Sequence, residues 1–223
     1  MSGTALASVF PIGPRITAQV LGLPFAQYRP TSATVAVVSP VNLLATINAW
    51  ITADPKLMGG KPFAYGKPVG FAGVDPALTQ VGDYLVGSIT VGGPVETFFI
   101  ASQDIPQPIQ VVRCNRVVTV SRPGGQNPGP GYYGGDLTAT ETPLGVGWPA
   151  AITDKGRRQS GEVKLPGDMD LPWVEILLPA SFPVQIESMD VLLDDQAQPV
   201  RYLVSAVEQT PLGWRLMARA AVP

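Results

Sequence analysis

The sequence predicts a mainly β protein: two small antiparallel barrel- or sandwich-like units with a short N-terminal helix and a long Gly/Pro-rich arm. Three observations predict it. Charged residues are only 14% of the 223 while glycine and proline number 24 each, which suits many short strands and turns rather than helical bundles. Two separated stretches each read as strand–turn–strand–turn–strand. Between them Arg122–Gly135, RPGGQNPGPGYYGG, is too rich in breakers for any regular element. The expected units are therefore 1–121 (β-rich, with an apolar N-terminal arm), 122–135 (arm or linker) and 136–223 (barrel-like).

Taken in order, Arg15–Gly22 is a helix of a couple of turns, preceded by Pro11 and Pro14 and stopped by Gly22 and Pro24. Phe25–Pro30 is extended, because the residue before proline is pushed out of the α region. The β-branched run within Ser32–Val38 predicts a strand, and Leu43–Thr52 fits helix or strand spacing, with strand favoured by its surroundings. Asp54–Asp75 reads as loop, with Phe63, Tyr65 and Phe71 packing its inner side. The first meander is Gly82–Val86, Glu96–Ser102 and Gln110–Ser121, the last written as one strand. Past the arm, Leu137–Thr142 is a strand, Trp148-Pro149 and Lys155–Arg158 fall in a loop, and Trp173–Leu178 is a strand with Val174, Ile176 and Leu178 on one face. The second meander is Asp190–Leu193, Arg201–Val207 and Trp214–Arg219, with Pro211-Leu-Gly213 as a tight reversal. In it Trp214, Leu216 and Ala218 alternate with Arg215, Met217 and Arg219. Asp83-Tyr-Leu-Val86 matches Asp190-Val-Leu-Leu193, and Phe98-Phe-Ile-Ala-Ser102 matches Tyr202-Leu-Val-Ser-Ala206, the pattern of an internally duplicated meander.

The chemistry is defined mostly by what is missing. The chain has no histidine, which removes Ser-His-Asp and Cys-His nucleophile arrangements and the usual zinc sites. No phosphate-cradling G-x-x-x-x-G-K-[ST] occurs. Cys114, the single cysteine, sits in a strand pattern and reads as structural; no intrachain disulfide is available. The acidic pairs Asp168/Asp170 and Asp194/Asp195 read as solvated turn carboxylates before calcium ligands, and Glu96, Glu141, Glu162, Glu175 and Glu187 as exposed partners along strands. No catalytic residue, cofactor or metal ligand is expected. Net charge is −2, so no global field draws the chain to nucleic acid or an anionic membrane. There is no basic leader and no apolar run long enough to span a bilayer, so synthesis in the cytoplasm is the expectation. Six arginines carry the charge pattern: Arg113, Arg116 and Arg122 in one half, Arg201, Arg215 and Arg219 in the other. As solvent-side strand residues they need no further role. Their functional readings are pairing with acidic turns of a neighbouring subunit or lining a channel for DNA. Tyr132 and Tyr133 are either partner anchors or a local cover over core.

The block D-V-L-L-D-D, R-Y-L-V-S-A-V-E, L-G-W-R-L-M-A-R over 190–219 resembles the small β-barrel proteins of tailed-bacteriophage necks and tails, among them head-closure, adaptor and tail-completion components. The block G-D-Y-L-V, T-F-F-I-A-S, V-R-C-N-R-V-V over 82–118 is similar to structural proteins of phages and prophages. The resemblance covers about a third of the chain. It implies a non-enzymatic virion protein, made in the host cytoplasm, that forms a homo-oligomeric ring in the neck or tail. Its partners would be copies of itself and portal, adaptor or tail proteins, with DNA in the channel and neither a membrane nor a small-molecule substrate. Interface candidates are then Tyr132, Tyr133, Arg113, Arg116, Arg201, Arg215 and Arg219. Two rivals remain: a fibre-anchoring or carbohydrate-binding β-sandwich using Trp148, Trp173, Tyr132 and Tyr133 as exposed stacking residues, and a wall-degrading hydrolase working with two carboxylates.

Overall fold

The computed structural model describes residues 12–57, 59–104, 107–124, 141–156 and 173–221. Among the described residues one α-helix, α1 (Ile12–Leu21), is followed by twelve strands, with a 3-10 turn at Pro40–Asn42. These are β1 (Leu23–Tyr28), β2 (Leu43–Thr52), β3 (Val69–Gly73), β4 (Tyr84–Gly87), β5 (Glu96–Ser102) and β6 (Ile109–Cys114). After them come β7 (Arg116–Arg122), β8 (Thr142–Gly156), β9 (Trp173–Leu178), β10 (Val191–Asp194), β11 (Arg201–Thr210) and β12 (Gly213–Ala221). All pairings are antiparallel and close two rings, β1-β2-β3-β6-β5-β4 and β7-β8-β9-β12-β11-β10. Adding six to each strand number of the first ring gives the second, so the whole barrel, not only its meander, is repeated.

The local rules place the elements. Residues at alternate positions fill each lumen: Phe25, Ile47, Ala49, Leu85, Phe98, Ile100 and Val111 in the first barrel, with Val118, Trp148, Ala150, Leu192, Tyr202, Val204 and Ala218 at the equivalent positions of the second. Both meanders carry a bulge at the same place, between Ile100 and Ser102 and between Val204 and Ala206. Gly213 turns the last hairpin at φ 133°, where a Cβ would lie 2.2 Å from the Leu178 carbonyl oxygen. Helix α1 ends at Gly22, whose N–H donates to Ala18 O at 3.0 Å, and buries Ala18. It docks on β2 and β3, where Gly73 leaves room: a Cβ there would stand 2.8 Å from the Thr17 methyl.

Several expectations change. Gln110–Ser121 is two strands that part at Asn115, and the second of them, β7, belongs to the second barrel. The barrels therefore meet at Asn115 rather than at 121/122: Arg122 ends β7, β7 and β8 belong to one sheet, and 125–135 of the expected arm lie outside the described residues. Ser32–Val38 is irregular, although Val146 N donates to Ala33 O (2.9 Å) and Val37 N to Gly147 O (3.1 Å), so it runs along β8. Trp148-Pro149 is not loop but the middle of β8, with Trp148 fully buried. Lys155 likewise ends β8, whereas Arg157 and Arg158 lie outside the described residues, as do Leu137–Thr140 and Asp168–Asp170. Phe71 is in β3 and Phe63 packs on Phe98, but Tyr65 is wholly exposed.

Candidate functional site

The two barrels are joined by a buried apolar junction and, along the Cys114-Asn115-Arg116 crossover, share an open cleft. Strand pleating makes the junction. Because Leu85, Phe98, Ile100 and Val111 point into the first lumen, Tyr84, Phe99, Ala101 and Val112 point out of it. They cluster with Trp148, Ala151 and Phe182 of the second barrel. Trp148 packs edge-on to Phe182 (centroids 4.8 Å apart) and to Tyr84 (6.4 Å). Its indole N–H donates to Ala33 O at 3.0 Å, and the Tyr84 hydroxyl donates to Pro149 O at 3.0 Å. Each buried polar atom of these rings thus has its partner across the junction, and burial drives the Tyr84 pKa well up. Each large side chain so buried contributes about 2–3 kcal/mol, so the outer face of the first barrel and the core of the second share one hydrophobic cluster, while the first lumen forms another.

The cleft, about 880 Å³, is lined by Phe63, Arg113, Cys114, Asn115, Arg116 and Ile152 among others. Asn115 imitates a paired strand residue: its side chain donates to Ile152 O and accepts from Ile152 N, both at 2.8 Å, while its backbone N–H donates to Ala150 O. Arg113 pairs with Glu96 at 2.6 Å and lies over the Phe63 ring. Arg116 donates to Asn115 O at 2.7 Å and lies 3.9 Å from Asp194. Cys114 keeps part of its surface, yet its apolar surroundings push the thiol pKa far up, the opposite of a nucleophile's environment.

Of the sequence-derived interface residues, Arg113 and Arg116 meet at this cleft. Arg201, Arg215 and Arg219 stand on β11 and β12, away from it. Arg201 pairs with Glu141. Arg215 pairs with Glu175 at 2.6 Å, and Arg219 stacks 4.1 Å over Trp173. Tyr132 and Tyr133 lie outside the described residues. Two carboxylates expected on the surface are buried. Glu175 sits between Arg215 and Lys155 (2.7 Å); burial would raise its pKa, but those two cations outweigh burial and hold it below the usual range. Asp194 is not a solvated turn residue: it accepts from Gln196, from Val200 N and from the Tyr202 hydroxyl, which hold its pKa down against burial. Burial and that carboxylate push the Tyr202 pKa up to about 12.

Sequence reading missed a duplicated clamp. At the end of β1, Arg29 grips the buried Asp83 with Nε–Oδ1 at 2.7 Å and Nη2–Oδ2 at 2.8 Å. At the end of β7, Arg122 grips the buried Asp190 with the same two contacts at 2.8 and 3.0 Å. Both aspartates also accept from a backbone N–H three residues earlier, Gln80 and Glu187, and both follow a residue at positive φ, Gly82 (90°) and Met189 (77°). The carbonyls of Asp83 and Asp190 accept from Ile100 N and Val204 N. The signal was present as Asp83 and Asp190 opening the matched strands, but their arginines lie far away in sequence.

No family model, curated protein or solved structure matches the chain. Among the described residues no group of three or more His, Cys, Asp or Glu side chains is placed to hold a metal.

Proposed function

We propose that this chain is a structural virion protein of a tailed bacteriophage, assembling as a ring or oligomer in the neck or tail and acting through contacts rather than chemistry. One observation carries the reading. The barrel is repeated within the chain, and the repeats meet through unlike faces: the outer side of β4–β6 on one, the β8 side on the other. Unlike faces that already join two repeats can join further ones, which is how head-to-tail rings are built. Copies of the chain and neighbouring virion proteins are the partners in this reading, and DNA occupies the ring's channel.

The carbohydrate-module alternative loses its main residue, since Trp148 is buried at the junction and Trp173 lies under Arg219. The hydrolase reading loses Glu175, which is held between two cations. Native mass spectrometry across concentration tests the proposal. A single closed oligomer is expected; a strict monomer at high concentration, together with glycan binding, would overturn it.

A further inference from the structure

We infer that the open half of β2, Leu43–Asn48, is the face on which the second barrel of another copy of this chain docks; this rests on the assembly reading above. The repeat supplies the template. Register equates Ile47 with Trp148 and Ala49 with Ala150, and hence Thr46 with Gly147 and Asn48 with Pro149. In both barrels the next strand covers only the far end: β3 pairs with Trp50–Thr52, and β9 begins at Ala151. The near half of β8 is therefore free for a guest, and the first barrel takes it. Val146 N and Gly147 O bond the Ala33–Val37 segment, and Pro149 O receives the Tyr84 hydroxyl.

The near half of β2 has no such guest. Leu44 is 51% exposed and Thr46 and Asn48 are also exposed, with Val41 (76%) and Leu43 (46%) beside them. No backbone hydrogen bond from beyond its sheet reaches Leu43–Asn48 among the described residues. Gly22, just past helix α1, comes up against the β2 backbone at Ala49, beyond this half. An apolar strand with one open side is a template for adding chain.

The matching face of barrel two is open in part: Val191, the counterpart of Tyr84, is buried, whereas the residues around the bulge are exposed. Tyr84, Phe99, Ala101 and Val112 dock the first barrel; register equates Phe99, Ala101 and Val112 with Leu203, Ser205 and Arg219. Ser205, Ala206 and Leu193 on that side of the second barrel are exposed. Each chain thus shows an unused strand edge on barrel one and an exposed patch, Ser205, Ala206 and Leu193, on barrel two, and joining them brings together between chains the same pair of faces that meet within one.

The test uses the full chain with two surface variants, Leu44→Asp/Thr46→Asp on the barrel-one edge and Ser205→Asp on the barrel-two patch, with Val91→Asp on an exposed turn as control. Light scattering should show the wild type and the control as the same oligomer and each face variant as a monomer with unchanged circular dichroism. Mixing the two face variants should give a dimer and nothing larger, because only one competent face remains on each. If the wild type is oligomeric but both face variants keep its mass, the docking face is wrong while the assembly reading stands. A monomeric wild type at all concentrations would overturn both.

Discussion

Arg29–Asp83 and Arg122–Asp190 join a partly exposed guanidinium to a buried carboxylate at the same place in each barrel. Each fixes the end of a barrel's first strand to the start of its fourth, the point where the ring must close. Removing the aspartate leaves a guanidinium that is about a third exposed and a backbone N–H without their acceptor, which costs about 1–3 kcal/mol. Asp83→Ala and Asp190→Ala should each lower the unfolding free energy by about that amount in urea titrations, Asp83→Ala by more, because Asp83 also accepts from Gln27 Nε2 at 2.7 Å and Arg122 keeps Glu187 as a second partner. Met189 makes the opposite prediction. It holds the positive φ that its counterpart Gly82 adopts freely, and its side chain is 61% exposed. Met189→Gly should therefore stabilise, by roughly 0.5–1 kcal/mol once glycine's extra unfolded entropy is counted. Gly82→Ala should destabilise, because its Cβ would stand 2.4 Å from Ser181 Cβ.

At the scale of elements, the β8–β9–β12 wall is tied by Glu175 between Lys155 and Arg215, and the β10–β11 turn by Asp194. Both carboxyls have folded pKa values below their unfolded ones, so in acid the unfolded state binds more protons. Their contribution is complete above the unfolded values, about 4, and is lost as pH falls through the lower folded values. Urea midpoints should hold from neutrality to about pH 5 and fall below pH 4, with a shallower fall in Glu175→Gln. At the junction, Tyr84→Phe removes the hydrogen bond to Pro149 O and should cost about 1–2 kcal/mol while leaving both barrels folded by circular dichroism. The elements were legible where alternation was clean: the second meander and β9 stand where their apolar positions put them. Trp148-Pro149 misled because proline and flanking glycines signal a loop, whereas the strand there is held by long-range contacts from Ala33 and Tyr84. Gln110–Ser121 misled because Asn115 completes its pairing with side-chain atoms, so the break leaves no glycine or proline.

For the whole molecule, the matched D-Y-L-V and D-V-L-L strands reported a repeat that extends to all six strands of each barrel. The remainder was hidden because β1–β3 and β7–β9 share a ring position and a clamp but little sequence. The cleft was half legible: Arg113 and Arg116 stood out as charged residues in an apolar run, while Phe63 and Ile152 reach it only through folding. Because Tyr84, Trp148 and Phe182 form one cluster, the barrels should unfold in a single urea transition, and Trp148→Ala should split it into two. The most direct test of the central claim, that the repeat is a unit of ring assembly, is electron microscopy of the purified protein with the chain number fixed by native mass. Closed rings with two barrel-sized lobes per chain are expected. Isolated two-lobed particles at every concentration would contradict it.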